Sequence, residues 1–271
     1  MTTAVFWNSS DELFIDFIPN DKIILNEEQS RHIAKSLRMQ VGDTLMLTCG
    51  DGNDYGCLIE QIDNKQVILS VCYKQANNSE PSVKVTLFQG VPKGDKMEDI
   101  IQKCTELGVS SIVPVLTKKA ISRPDEKSAK KKRTRYQKIA LEAAQQSGRG
   151  IIPEIGEMQT LKQAVQNDNS DIKILFYEGG GEPLTKLIDS NTRSISIYIG
   201  PEGGFEADEV ELIKENGGMV ATLGKRILRT QTAPVCALSA IMLLSLVACG
   251  GSSSTPVSSS PAASVPQEAP S

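Results

Sequence analysis

The chain has 271 residues carrying 29 basic and 33 acidic side chains, a net charge of −4. The length admits two domains and a sizeable core, and the near-balance of charge excludes a polyelectrolyte. Six scattered cysteines without a CxxC pair, and a single histidine, His32, exclude a typical zinc site and argue for a reduced cytosolic protein. The start, MTTAVFWNSSDELF, lacks a basic segment followed by an apolar core, so no secretory signal is expected.

In chain order, a short helix is expected over Asn26 to Leu37, then strands over Thr44 to Cys49, Tyr55 to Ile62 and Gln66 to Tyr73. Glycine and aspartate corners part them, the pattern of a small all-β barrel. The polar run Asn77 to Ser82 reads as a linker. Beyond it strands alternate with helices. Strands are expected at Val83 to Gln89, Ser111 to Leu116, Ile172 to Tyr177 and Ile195 to Ile199. Helices fall at Lys96 to Leu107, around Arg133 to Ser147, and at Asp208 to Asn216. Such alternation predicts a mostly parallel sheet covered on both faces, an α/β fold.

Local charge says more than the total. Ten cations between Lys118 and Lys138 face only Asp125 and Glu126, a local excess of eight. They suit either contacts with phosphates or a solvated helical face. Arg149, flanked by Gly148 and Gly150 after a helix, is a separate candidate whose planar fork suits a phosphate or a base. Lys93 and Lys96, in the glycine-interrupted PKGDK, are candidates to meet RNA from a loop. Arg38 suits either RNA or a surface ion pair. His32 reads as a capping or packing residue.

The segment from Ile195 onward is the richest. A β-branched strand empties into Gly200-Pro201-Glu202-Gly203-Gly204, an acidic helix follows, and a second turn, Leu223-Gly224, leads into Leu228-Arg229-Thr230. Turns gathered at the carboxyl ends of parallel strands make a ligand site; the bland alternative is a glycine corner between strand and helix. Phosphate fits poorly, because Glu202, Glu206, Asp208 and Glu209 crowd the loop and no GxxxxGK[ST] or GxGxxG is present. A phosphate-free ligand, neutral or cationic near the loop, fits better, and S-adenosyl-L-methionine meets that description.

IGPEGG at Ile199 to Gly204, LG at Leu223 to Gly224 and LRTQTA at Leu228 to Ala233 resemble the signature of the RsmE family of SPOUT methyltransferases. HIAKSLRMQVGD (His32 to Asp43), PKGDKMEDIIQKCTELGV (Pro92 to Val109) and YQKIALEAAQQSGRG (Tyr136 to Gly150) resemble it too, in the same order, from about Leu25 to about Met242. The resemblance implies S-adenosylmethionine-dependent methylation of N3 of a uridine in 16S ribosomal RNA. It implies a PUA-like RNA-binding domain over residues 1–79 and a SPOUT trefoil-knot domain over 80–245, paired in a cytoplasmic homodimer. Gly200, Gly203 and Gly204, with Ile199 and Pro201, would approach the cofactor. Leu223, Gly224 and Leu228 would close over its adenine, and Leu175, Phe176, Tyr177 and Glu178 would form a third wall. Arg229 is the candidate catalytic residue, a cation for charge developing on the uracil oxygens. No metal is expected. A non-catalytic RNA-binding protein, or a SPOUT enzyme acting on another RNA, are the alternatives.

Two features depart from the family. Gln231 stands where the family usually has Glu. From about Met242 the chain turns into LLSLVACGG and a Ser/Pro/Ala-rich tail over residues 246–271 that should be disordered. Leu243 to Cys249 resembles a lipobox, but at the wrong end of the chain for one. The apolar run from Ala233 to Cys249, 17 residues long, is marginal for a membrane span, which argues for a soluble helix with an altered end.

Overall fold

The computed structural model describes residues 13–15, 22–63, 66–189 and 191–249, with the side chains of 13, 14 and 246–249 left aside. The first unit is a five-stranded sheet ordered β1-β3-β4-β5-β2: β1 (Leu13–Phe14), β2 (Lys22–Ile24), β3 (Thr44–Thr48), β4 (Asn53–Ile62) and β5 (Val67–Ala76). Its pairs are antiparallel except β1 with β3. Helix α1 (Glu27–Arg31) starts at an Asn26–Gln29 capping box and widens into a π-helical turn, His32–Leu37. That turn ends at Arg38, which adopts φ 55°, a conformation few non-glycine residues take. Ile33, Leu45, Leu47, Cys57, Ile59 and Leu69 close this unit's core.

The second unit is a seven-stranded, wholly parallel sheet. Its strands are β6 (Lys84–Gly90), β7 (Ser111–Leu116), β8 (Glu154–Ile155), β9 (Gln159–Thr160), β10 (Ile172–Phe176), β11 (Ser194–Ile199) and β12 (Gly218–Ala221). The order is β12-β10-β11-β6-β7-β8, with β9 also on β7. The chain lays down β6 and β7 in one direction and returns on the far side of β6. That reversal opens a crevice at the strand ends.

Alternation of side chains divides the sheet. Val85, Leu87, Ile174, Ile195 and Ile197 face α2 (Lys96–Glu106), α3 (Glu126–Gln146) and α6 (Ala233–Cys249). Phe88, Val115, Leu175 and Tyr198 face α4 (Leu161–Asn167) and α5 (Ala207–Glu215). Both faces are therefore covered, as strands without a polar side require. On the second face Phe88 and Tyr198 stack, centroids 4.7 Å apart, worth about 0.5–1.5 kcal/mol beyond burial. The Tyr198 hydroxyl donates to Asp168 at 2.7 Å, and Ser196 donates to the same carboxylate at 2.8 Å.

Besides the short strands β1, β2, β8 and β9, which the sequence reading did not include, four elements differ from the expectation. Helix α3 begins seven residues earlier than Arg133, capped by Asp125, whose carboxylate accepts from the Ser128 amide at 2.7 Å. Helix α4 and strand β12 are additional. Helix α6 runs to Cys249, past the expected start of the tail at 246. The tail from 250 on lies outside the described residues. Among those described, no helix is long and apolar enough to cross a membrane, and no His, Cys, Asp or Glu cluster could hold a metal.

Candidate functional site

Strands β12, β10 and β11 are neighbours, and their carboxyl ends lie level, with Phe176 paired to both Ile199 and Ala221. Past each end the chain turns outward: Tyr177-Glu178, Gly200 to Phe205, and Thr222 to Leu228. Together with Arg229 to Gln231 these turns enclose a cavity of about 490 Å³, within the range of small-molecule sites.

Four of the lining residues are glycines, and sterics explain those of the first turn. Gly204 has φ +68°, and a Cβ there would lie 2.7 Å from the Glu178 carboxylate. At the end of β6, a Cβ on Gly90 would lie 2.5 Å from the Pro201 ring, so only glycine lets strand and turn touch. The Gly204 amide closes the turn on the Pro201 carbonyl at 2.9 Å.

The acidic side chains around the first turn are tied up by one another and by lysines. The Glu206 amide at the start of α5 donates to Glu209, whose other oxygen takes the Lys118 amide at 2.8 Å; Lys118 also pairs with Asp208. Glu202 receives the Lys96 ammonium at 2.6 Å and the Lys93 amide at 3.2 Å. Partial burial alone would raise the Glu202 carboxyl, but Lys96 and nearby amides outweigh it and hold the group below the usual carboxylate range. Glu202 thus braces the loop as an anion.

One hydrogen-bonded unit lies beneath the cavity. The Thr230 hydroxyl donates to the Gly200 carbonyl at 2.9 Å and accepts from the Gln89 amide at 3.2 Å. Gln89 is fully buried, and its carbonyl oxygen, like that of Gln231, has no protein partner. Arg229, next to Thr230, is exposed at the cavity and has no acidic partner among the described residues. Its carbonyl accepts from Thr232 and Ala233 and so starts α6.

The comparisons with known proteins agree with this geometry. Residues 78–242 match the family described as RNA methyltransferase domain, and residues 25–72 the RNA methyltransferase PUA domain. Ribosomal RNA small subunit methyltransferase E of Bacillus subtilis is 38% identical over 222 residues, covering 79% of this chain and 87% of that protein. This chain belongs to the ribosomal RNA small subunit methyltransferase E family. The Synechocystis member is 32% identical over 82% of this chain and 73% of its own. The Neisseria gonorrhoeae member, solved bound to S-adenosyl methionine, superposes with a TM-score of 0.80 at 27% identity, covering 86% of this chain and 97% of that one. A Legionella pneumophila structure, solved in complex with the cofactor SAM, superposes with a TM-score of 0.77 at 30% identity over 88% and 98%.

Within this family member, the structure gathers Phe176, Glu178, Ile199, Gly200, Pro201, Gly203, Gly204, Leu223, Gly224, Leu228 and Arg229 around the one cavity, with Lys96 at its edge. Leu175 is a correction. It is fully buried on the opposite face of the sheet, among Tyr198, Val210 and Ile213, because neighbouring residues in a strand point to opposite sides. Arg149 is the second correction. It is 3% exposed, and it donates to both Glu80 oxygens (2.6 and 3.1 Å) and to the Thr105 and Val109 carbonyls, which leaves no fork for RNA. Lys93 is exposed near the loop, and Arg38 is exposed on the first unit. Tyr177 of the expected third wall lines the cavity, whereas Thr230 and Gln89 escaped the sequence reading as site residues. A polar residue at the carboxyl end of a central parallel strand, as Gln89 is, would have been the signal.

Proposed function

We propose that this protein methylates N3 of a uridine in 16S ribosomal RNA, with S-adenosylmethionine as donor. The observation that carries the reading is a cavity walled by three strand-end turns, with Glu178 and Glu202 in its lining and Arg229 exposed at its mouth. Its size suits a small molecule such as S-adenosylmethionine, and Glu178 and Glu202 are the carboxylates available to a sulfonium. Gly200, Gly203, Gly204, Ile199 and Pro201 would hold it from one side, Leu223, Gly224 and Leu228 from another, and Phe176 and Glu178 from the third. Bound there, S-adenosylmethionine supplies an electrophilic methyl on a good leaving group. Arg229 would stabilise negative charge on the uracil oxygens as the N3 proton leaves. Positioning accounts for much of the rest.

The domain limits 1–79 for RNA holding and 80–245 for transfer belong to this reading, with RNA contacts from Arg38, Lys93, Lys96 and the exposed lysines of α3. So do a cytoplasmic location and a homodimer. The dimer rests on α6, an apolar helix whose Leu243 is 65% exposed beside the exposed Cys236. A second hollow of about 500 Å³ lies between Leu184, Leu228, Cys236 and Ala240.

The test is calorimetric titration of S-adenosylmethionine. Transfer of labelled methyl to naked 16S RNA and to small subunits follows, with the product mapped by digestion and mass spectrometry. Methyl on N3 of one uridine is the expected result. No cofactor binding, or methyl on a ribose hydroxyl, overturns the reading.

A further inference from the structure

The segment joining the two units is held on both sides. On the first unit, the Asn77 amide donates to the Gly52 carbonyl at 2.9 Å, and its side chain donates to Asp54 at 2.8 Å. On the second, Ser79 accepts from the Gly150 amide at 3.3 Å, and Glu80 accepts from the Ile151 amide at 3.1 Å. Beneath them sits the Arg149–Glu80 pair, with side-chain exposures of 4% and 20%. Arg149 also ties down the Thr105 and Val109 carbonyls between α2 and β7. Gly150 meets Asn77 so closely that a Cβ would lie 2.7 Å from the Asn77 amide carbon. One arginine thus joins the end of α3, the α2–β7 corner and the linker. A free tether has no such contacts, and a guanidinium this deeply buried persists only when its donors are used.

We propose that Arg149 and Glu80 are positioning residues for RNA. By locking the linker, they fix the first unit's RNA-holding surface in one orientation to the cofactor cavity, so that an RNA touching both presents its base at Arg229. The inference rests on the methyltransferase reading above. Its energetic logic is effective concentration: two contacts held in the right geometry on one RNA reinforce each other more than two on a swinging linker.

The test uses the full chain, unaltered, as Asn77→Ala, and as the paired Glu80→Gln, Arg149→Met change. Asn77→Ala loosens the linker by removing its side-chain bonds to Asp54 and Ser79 without uncovering the arginine, and the paired change leaves neither charge alone. Three readouts are compared: cofactor Kd, transfer to a short hairpin that reaches only the cavity, and transfer to full-length 16S RNA. The expected result is unchanged cofactor affinity and hairpin kinetics, with KM for the long RNA raised about tenfold at constant kcat. Arg149→Lys does not restore it, since an ammonium cannot replace the bidentate fork. Equal effects on both RNAs, or none on the long one, overturn the proposal. If the paired variant fails to fold, Asn77→Ala decides alone. If the unaltered chain transfers no methyl, the enzymatic reading fails separately, and solution scattering decides the clamp: a broadened distance distribution in Asn77→Ala supports it, and an unchanged one refutes it.

Discussion

The hydroxyl of Thr230 donates to the carbonyl of Gly200 at 2.9 Å across 30 residues of chain. This bond ties the residue following the free arginine to the first glycine turn, and Gln89 joins from a third element. Thr230→Val keeps the shape and removes the hydroxyl, leaving the Gly200 carbonyl only the long 3.5 Å contact from Gln89, whose amide keeps its bond to the Gly90 carbonyl. At about 1–3 kcal/mol for such a loss, cofactor affinity should fall roughly 5- to 150-fold, read by calorimetry.

Arg229 touches the site by its side chain and supports α6 by its backbone. Arg229→Ala should therefore leave cofactor affinity within about threefold while lowering kcat by about 100- to 1,000-fold, the scale of losing one charge-stabilising donor. Single-turnover transfer measures the second quantity. A parallel loss of cofactor binding would place the arginine in the wrong step.

The Tyr198 hydroxyl serves Asp168, and its ring lies on the face away from the cavity. Burial, with Asp168 beside it, holds the phenol far above its ordinary pKa, so it remains a donor. Tyr198→Phe removes one of the partners of a buried carboxylate at about 1–3 kcal/mol. Calorimetric unfolding should show a Tm lower by several degrees, with cofactor affinity unmoved.

The Glu202 carboxyl is held below its ordinary value, so its contribution is present above the unfolded value of about 4.3 and is lost as pH falls through the folded value. Cofactor affinity should be insensitive to this group near neutrality and fall only on acidification below about pH 4. Lys96→Met removes the ammonium at 2.6 Å, and the acid loss should then begin at higher pH. Titrations across the acid range check both.

Leu243, 65% exposed on an apolar helix, is the side chain to alter for the dimer. Leu243→Asp should shift the protein to monomer in sizing at micromolar concentration. An unaltered elution volume, with the parent a dimer, would put the interface elsewhere.

Much of the second unit is legible from the chain because its signals are local. Strand alternation and the glycines at the ends of β11 and β12 specify turns whatever the partner, since a positive φ like that of Gly204 or Gly224 (+103°) is a property of one residue. Helix α3 was legible only in part: its lysine-rich first half hides any apolar stripe, although the Asp125 cap marks its start. The Thr160–Gln163 capping box likewise announces α4.

What the chain by itself determined, then, is the alternation of strands and helices, the two glycine turns and the acidic crowd around the first of them. Only the tertiary structure decided that Arg149 is a buried strut, that Leu175 faces away from the cavity, and that Gln89 reaches Thr230 across 141 residues. The physical reason is the same in each case. Turn geometry follows from the residue that makes it, whereas burial and hydrogen-bond partners depend on which distant segments the sheet order brings together.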